Sequence, residues 1–292
     1  MKPERDIGYM KILKTAPGTS VQDLGRVRFS QFGIPNSGAL DLRSFVWVNH
    51  LLQNKDSDAA LEICQPGLKV QFDSPTMIYL AGARASAKLN GKVLSNPGLL
   101  PIQANDLLEI GAMEIGAVLY LGIKYGFQTE KVMQSRSFYS GITQSDFAKK
   151  ELRIPYFTYK EVPASTSSKV KWNINWIQEK VIDAYPGPEW ELLSKQSKEI
   201  LDSYEFTVSD LKNRMAIQLN ELLPNSLPEM ATAPVFPGTV QLTSGGKLLV
   251  LMKDAQVTGG YPRILQLEEQ AISILAQKKP KEKIKFSLKT FS

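Results

Sequence analysis

The sequence predicts a mainly β protein, and three observations carry that expectation. Short runs alternate apolar and polar residues, glycine-containing hairpin signals sit between them, and only three stretches carry helical spacing. Many short strands with few helices argue for a β-barrel or β-sandwich architecture.

Residues 40–52 place Leu42, Phe45, Val46, Val48, Leu51 and Leu52 broadly on one side and predict a helix. Ser37 or Asp41 is suited to cap its start, and Asn54 to stop it. Residues 68–72, Leu-Lys-Val-Gln-Phe, alternate as a half-buried strand does, and the more continuous apolar run 77–81 predicts a buried one. Residues 85–89 and 92–94 flank Asn90-Gly91, a hairpin signal because both residues tolerate positive φ. Strands at 107–110 and 117–121 complete a strand-rich first half. In the second half, Trp190, Leu193, Ile200, Leu201 and Tyr204 give residues 189–204 helical spacing after the turn Pro186-Gly187-Pro188. Gly245-Gly246 marks a second hairpin between residues 239–243 and 248–252, and a third short helix is expected over 267–276. The polar stretch 163–169 has the composition of a linker. This divides the chain into an N-terminal extension (1–10), a first domain (11–162), the linker (163–169) and a second domain (170–292).

Composition bounds the function. The chain has 292 residues, with 43% hydrophobic and 22% charged, as in soluble globular proteins. No apolar run approaches the ~20 residues that span a bilayer, and the charged start Met1-Lys2-Pro3-Glu4-Arg5-Asp6 lacks the apolar core of a secretion signal. The single cysteine, Cys64, excludes an internal disulfide and a cysteine-rich zinc site. A cytoplasmic location, without membrane association, is the expectation. The net charge is +6, with much of the excess in Lys278-Lys279-Pro280-Lys281-Glu282-Lys283 and Lys285. That cluster reads as a solvated turn and edge strand, where lysines discourage unwanted pairing. No nucleic-acid motif accompanies it.

Two segments combine glycines with varied polar chemistry. One runs Ser20-Val21-Gln22-Asp23-Leu24-Gly25-Arg26 and continues through Gly33-Ile34-Pro35-Asn36-Ser37-Gly38-Ala39-Leu40-Asp41; the other is Lys253-Asp254-Ala255-Gln256-Val257-Thr258-Gly259-Gly260-Tyr261-Pro262. Glycines let backbone turn sharply and approach a ligand, so the two segments suggest one site assembled from both halves. Asp23 and Arg26 either pair or converge on a ligand, with Gln22 supplying a further donor and acceptor. Asn36, Ser37 and Asp41 either cap the first helix or form an anion site at its positive end. Glu62, on the opposite side of its strand from Leu61 and Ile63, faces either solvent or a cleft. Gly259 and Gly260 permit positive φ and exposed amides, a geometry suited to oxyanions. Thr258 adds a hydroxyl and Tyr261 a phenol, with Asp254 and Arg263 on the flanks. The alternative for this loop is a structural turn with a strained Tyr-Pro bond. The lone histidine, His50, reads as packed or surface-exposed, so Ser-His-Asp catalysis and a histidine-rich metal site are not expected; a metal site is otherwise unassigned.

Together with Ala60-Leu61-Glu62 and Gly238-Thr239-Val240-Gln241, these motifs resemble the C subunit of bacterial 5-oxoprolinase, a family also labelled allophanate hydrolase subunit 2. The same unit is similar to part of the carboxyltransferase domain of urea carboxylase and to the antagonist of a sporulation-kinase inhibitor. The resemblance spans roughly residues 11 to 287. It implies two cyclophilin-like β-barrel domains and ATP-dependent opening of the lactam 5-oxoproline to glutamate, shared with A and B subunits, with ATP and Mg2+ in the assembled complex. Under it, Asp23, Glu62 and Asp254 are the catalytic candidates. Gln22, Arg26, Asn36, Ser37, Asp41, Arg214, Gln241, Thr258, Gly259, Gly260 and Tyr261 are the substrate-binding ones, with Arg214 suited to steady a carboxylate bidentately. Two alternatives follow from the same resemblance. One is carboxyl transfer from biotin to a urea-like acceptor; the other is a non-catalytic antagonist that binds a kinase-inhibitor-like B subunit. The chain departs from the family pattern at Tyr125-Gly126-Phe127-Gln128, where a double glycine followed by aspartate is usual, and at Gln134-Ser135, although Ser135-Arg136-Ser137 keeps the rest. The glycine-rich stretch that usually ends in Gly-Asp is hard to find between residues 140 and 155, and Ala216 replaces the glycine that usually follows Arg214-Met215.

Overall fold

The structure is a computed structural model that describes residues 5–94, 98–161, 173–228 and 230–290. The stretch 163–169, read as a linker, lies outside the described residues. The chain forms two compact units, Met1–Gly25 with Leu42–Ile174, and Arg26–Asp41 with Asn175–Ser292. Residues 26–41 therefore group with the second half of the chain, a division that no local composition signals.

The first unit holds β1 (Ile7–Lys14), β2 (Ser20–Gln22), α1 (Leu42–Leu51), β3 (Ala60–Ile63), β4 (Leu68–Phe72), β5 (Thr76–Leu89), β6 (Lys92–Val93), β7 (Leu100–Ile102), β8 (Leu107–Ile123) and β9 (Arg153–Phe157). Strand β1 begins inside the segment read as an N-terminal extension. The nine strands make a curled half-barrel sheet along β2-β3-β8-β4-β1-β9, with β5 paired to β6, β7 and β8. Alternation in β4 buries Leu68, Val70 and Phe72 and leaves Lys69 and Gln71 half-buried, which places its apolar face in a core with Met10, Leu121 and Tyr156. Each such side chain contributes about 1.5–3 kcal/mol of burial free energy. The hairpin at Asn90-Gly91 pairs Leu89 with Lys92, both turn residues having positive φ. The separate strands expected at 107–110 and 117–121 are one continuous strand, β8. Gly116 takes a φ of 79° and register shifts near it let the ladder with β5 continue past the irregularity.

Helix α1 begins at Leu42 and packs on β5 and β8. Phe45 meets the Tyr120 ring edge-on at a centroid distance of 5.8 Å. Gly122 makes the approach possible, since a Cβ there would stand 2.6 Å from Val48 Cγ2 and 2.8 Å from Leu52 Cδ1. The helix ends at Leu51, and Asn54 just beyond it fixes the exit, its amide donating to Asn49 Oδ1 and Ile123 O. Lys124 Nζ donates to Leu52 O at 2.7 Å, a cation on carbonyls that the helix leaves unpaired.

The second unit holds β10 (Val181–Pro186), α2 (Lys195–Ser203), β11 (Phe206–Lys212), β12 (Ala216–Leu222), β13 (Ala233–Pro234), β14 (Thr239–Leu242), β15 (Lys247–Leu251), β16 (Thr258–Gly259), β17 (Arg263–Leu267), α3 (Glu269–Ala276) and β18 (Lys283–Leu288). Seven strands close a barrel in the order β10-β17-β14-β15-β12-β11-β18, and β13 pairs with β16 as a separate ribbon. The Gly245-Gly246 hairpin joins β14 to β15, with Gly246 at a φ of 82°. Ser194 caps α2 by accepting the Ser197 N–H.

The lysine-rich C-terminal stretch is not an edge strand. Closure of the barrel pairs β18 in parallel with β10 and antiparallel with β11. Lys278 is buried, donates to Ile177 O at 2.8 Å, and has its pKa pushed down by that burial. Among the described residues no helix is long and apolar enough to cross a membrane.

Candidate functional site

In the first unit, Asp23 follows β2 and is 5% exposed. Its Oδ1 accepts from Gly25 N at 2.8 Å, Ser135 Oγ at 2.6 Å and Ser137 Oγ at 2.7 Å. Its Oδ2 accepts from Arg136 N at 2.6 Å. This carboxylate therefore fixes the Ser135-Arg136-Ser137 loop, which is distant in sequence. Gln22 is buried and donates to Ser20 Oγ at 2.9 Å.

Glu62 does not face solvent. All four residues of β3 are buried, because β2 and β8 flank the strand while α1 packs on the sheet. Its Oε2 accepts from the Tyr120 hydroxyl at 2.6 Å, and Cys64 Sγ lies 3.7 Å from Oε1. His50 is exposed and stacks against Trp47.

In the second unit, the 26–41 segment meets the Asp254 region. Ser37 N donates to Lys253 O at 2.9 Å, and Arg214 Nη2 donates to Gly38 O at 2.7 Å. Arg214 also grips Asp254 bidentately, Nε to Oδ2 at 2.7 Å and Nη2 to Oδ1 at 2.9 Å. The fork expected to hold a substrate carboxylate thus holds one of the protein's own. Asp41 Oδ2 accepts from Gln277 Nε2 at 2.6 Å. Asn36 bonds locally, its O accepting from Arg26 N and its Oδ1 from Ser30 Oγ. Arg26 is fully buried. Ser37, with φ 54° and a start of helix five residues further on, is too distant to be the cap of α1.

The Thr258–Pro262 loop also departs from expectation. Neither Gly259 nor Gly260 has positive φ, and the Tyr261–Pro262 bond is trans. Thr258 and Gly259 instead pair with Pro234 and Ala233. Gly259 is required for contact, because a Cβ there would lie 2.5 Å from Gln241 Nε2. Gln241 is buried and donates to Tyr261 O at 3.3 Å. Thr258, Gly260 and Tyr261 are exposed, Tyr261 at 46%. Arg263 forks onto Glu189, Nη2 to Oε1 at 2.7 Å and Nε to Oε2 at 3.0 Å. Hydrogen bonding from Arg263 holds the Glu189 carboxyl below its ordinary range.

The candidates therefore sort by accessibility. Gln22, Asp23, Arg26, Ser37, Asp41, Glu62, Arg214, Gln241 and Asp254 are buried, and the exposed chemistry lies at Thr258 to Tyr261. Sequence reasoning missed Glu189, Tyr120 and Gln128 as partners. Glu189 pairs with Arg263 and Tyr120 with Glu62 across dozens of residues, where spacing carries no signal, while Gln128 meets Arg136 within one irregular loop that has no periodicity to read. Arg136 carried one clue, its place between two serines.

Comparison with known proteins places this architecture. A family model described as "Carboxyltransferase domain, subdomain A and B" matches residues 32–288, and the chain belongs to that family. It is 31% identical over 276 residues to the 5-oxoprolinase C subunit of Escherichia coli, covering 92% of this chain and 87% of that protein. It is 25% identical over 304 residues to urea amidolyase of Lachancea kluyveri, covering 93% of this chain but 16% of that one. Among solved structures, the urea amidolyase of Kluyveromyces lactis superposes with a TM-score of 0.82 at 21% identity, over 95% of this chain and 18% of that one. The last likeness establishes the fold.

Proposed function

We propose that this chain is the C-type subunit of a 5-oxoprolinase-type amidohydrolase, which opens 5-oxoproline to glutamate with consumption of ATP. The supporting observation is a match along nearly the whole length of both this chain and a 5-oxoprolinase C subunit. A-like and B-like subunits complete the enzyme in this reading. Ring opening adds water across an unreactive amide C–N bond, and phosphorylation of the carbonyl oxygen by ATP would make its carbon electrophilic.

The exposed Thr258 hydroxyl and Tyr261 phenol are the groups in this chain best placed to meet substrate. Asp254 and Arg214 act as positioning residues, since Asp254 N also donates to Arg214 O and fixes the strand end before the loop. Asp23 does the same for residues 135–137. Among the described residues no three His, Cys, Asp or Glu side chains gather as a metal cage. Mg2+ that accompanies ATP keeps several waters and takes one or two carboxylates besides the phosphates, and in this reading ATP and Mg2+ belong to the assembled complex.

Co-purification with A-like and B-like proteins, followed by assay of 5-oxoproline-dependent ATP hydrolysis and glutamate release, tests this proposal. Activity is expected only in the complex. A complex of all three subunits without such turnover overturns it. The urea amidolyase likeness and the family description favour carboxyl transfer as the second reading. It predicts a biotinylated partner and carboxylation of a urea-like acceptor in the same preparation.

A further inference from the structure

Arg136 is half-buried and positioned at both ends, yet it has no carboxylate partner among the described residues. Its backbone N–H is held by Asp23 Oδ2 at 2.6 Å, and Nη2 donates to Gln128 Oε1 at 2.9 Å. Gln128 is itself fixed, because Nε2 donates to Tyr125 O at 2.7 Å and Gly126 O at 2.9 Å. The guanidinium is thus oriented by a neutral amide that cannot balance its charge.

Nearby carboxylates are committed elsewhere. Asp23 accepts four hydrogen bonds from residues 25 and 135–137. Asp58 Oδ2 accepts from Lys55 N at 3.0 Å, and its charge is shared among Lys55, Arg136 and Lys131 without a hydrogen bond to Arg136. Burial pushes the Arg136 guanidinium below its usual range despite the attraction of Asp23 and Asp58. By contrast, Arg153, Arg214 and Arg263 each meet a carboxylate oxygen within 2.9 Å.

A fixed guanidinium with donors left over and no carboxylate among the described residues bonded to it has the chemistry of an oxyanion receptor. We propose that Arg136 anchors a small carboxylate or phosphate, with Gln128 and Asp23 as its positioning residues. Equating that anion with the carboxylate of 5-oxoproline rests on the proposed function; the anchor itself does not.

The test uses the purified full-length chain and its Arg136→Gln and Arg136→Lys variants, titrated calorimetrically with inorganic phosphate, 5-oxoproline and 2-pyrrolidinone. The last is the same lactam without a carboxylate. Wild-type protein should bind phosphate or 5-oxoproline, and Arg136→Gln should weaken that binding roughly 10- to 100-fold, as expected for loss of a charged hydrogen-bond donor. Arg136→Lys keeps the charge without the planar fork and should fall between. It also serves as the test should the Gln variant not fold. Any 2-pyrrolidinone affinity should be the same in all three. Wild-type binding of neither anion, or anion affinities unchanged in the variants, overturns the anchor. Arg136-dependent phosphate binding without 5-oxoproline binding supports the anchor and counts against the substrate named above. Turnover in the assembled complex judges the proposed function separately.

Discussion

Asp254→Asn would leave the Arg214 guanidinium, with a side chain 7% exposed, without its bidentate charge partner. Were Asp254 an accessible cleft residue, that change would cost little folding stability. Its side chain is only 12% exposed, and breaking a buried pair by removing one member costs about 3 kcal/mol or more. Urea unfolding should therefore show a clear fall in midpoint for Asp254→Asn, and an unchanged midpoint would show that the pair contributes little. Glu189 and Arg263 predict a pH dependence. The folded-state pKa of Glu189 is depressed, chiefly by hydrogen bonding from Arg263. The pair's stabilisation is present above the ordinary glutamate value of 4.5 and is lost as pH falls through the depressed one. Melting temperatures recorded between about pH 6 and about pH 3 should fall less steeply for Glu189→Gln than for wild type, from a lower start. Parallel curves would refute the linkage.

At the level of elements, α1 reaches β8 only because Gly122 has no side chain. Gly122→Val would drive branched carbon into Val48 and Leu52, whose atoms already stand under 3 Å from where a Cβ would lie. Overpacking of this kind costs typically about 1–3 kcal/mol. The expected result is a lower urea midpoint with the strand signal of the circular dichroism spectrum retained. Unchanged stability would mean that the helix can shift away at no cost. The ends of α1 show how local and distant contacts divide the task. Asn54 marks its stop in the sequence, but the bonds that fix the stop run to Ile123 and from Lys124, about 70 residues away.

At the level of the molecule, the second unit depends on a segment from the first part of the chain. Residues 26–41 join it through Ser37 to Lys253, Gly38 to Arg214 and Asp41 to Gln277. A fragment of residues 173–290 should therefore melt at a lower temperature than it does with a 26–41 peptide added in trans. Asp41→Ala in the peptide should weaken its binding, measured calorimetrically, because Gln277 loses a charged acceptor. Failure of the peptide to bind or to raise the melting temperature would remove this segment from the unit's stability.

Read alone, the sequence determined the mainly β class, strand β4 to the residue, both glycine hairpins and the family. Each depends on alternation, turn chemistry or motif order, properties carried by neighbours along the chain. Tertiary structure decided what neighbours cannot encode. Glu62 has the spacing of a half-exposed strand residue, but β2 and β8 flank its strand and α1 packs on the sheet, so it is buried beside Tyr120. The lysine-rich β18 has the composition of an edge, but barrel closure gives it partners on both sides. Asp254 and Arg214 each look available for a ligand, but folding brings together charges 40 residues apart and engages them with each other. A side chain's partners are fixed by long-range packing, and a buried charge must find a counter-charge or hydrogen bonds there. The types of residue present were therefore legible from the chain, while their division into buried scaffold and exposed chemistry was set only by the fold.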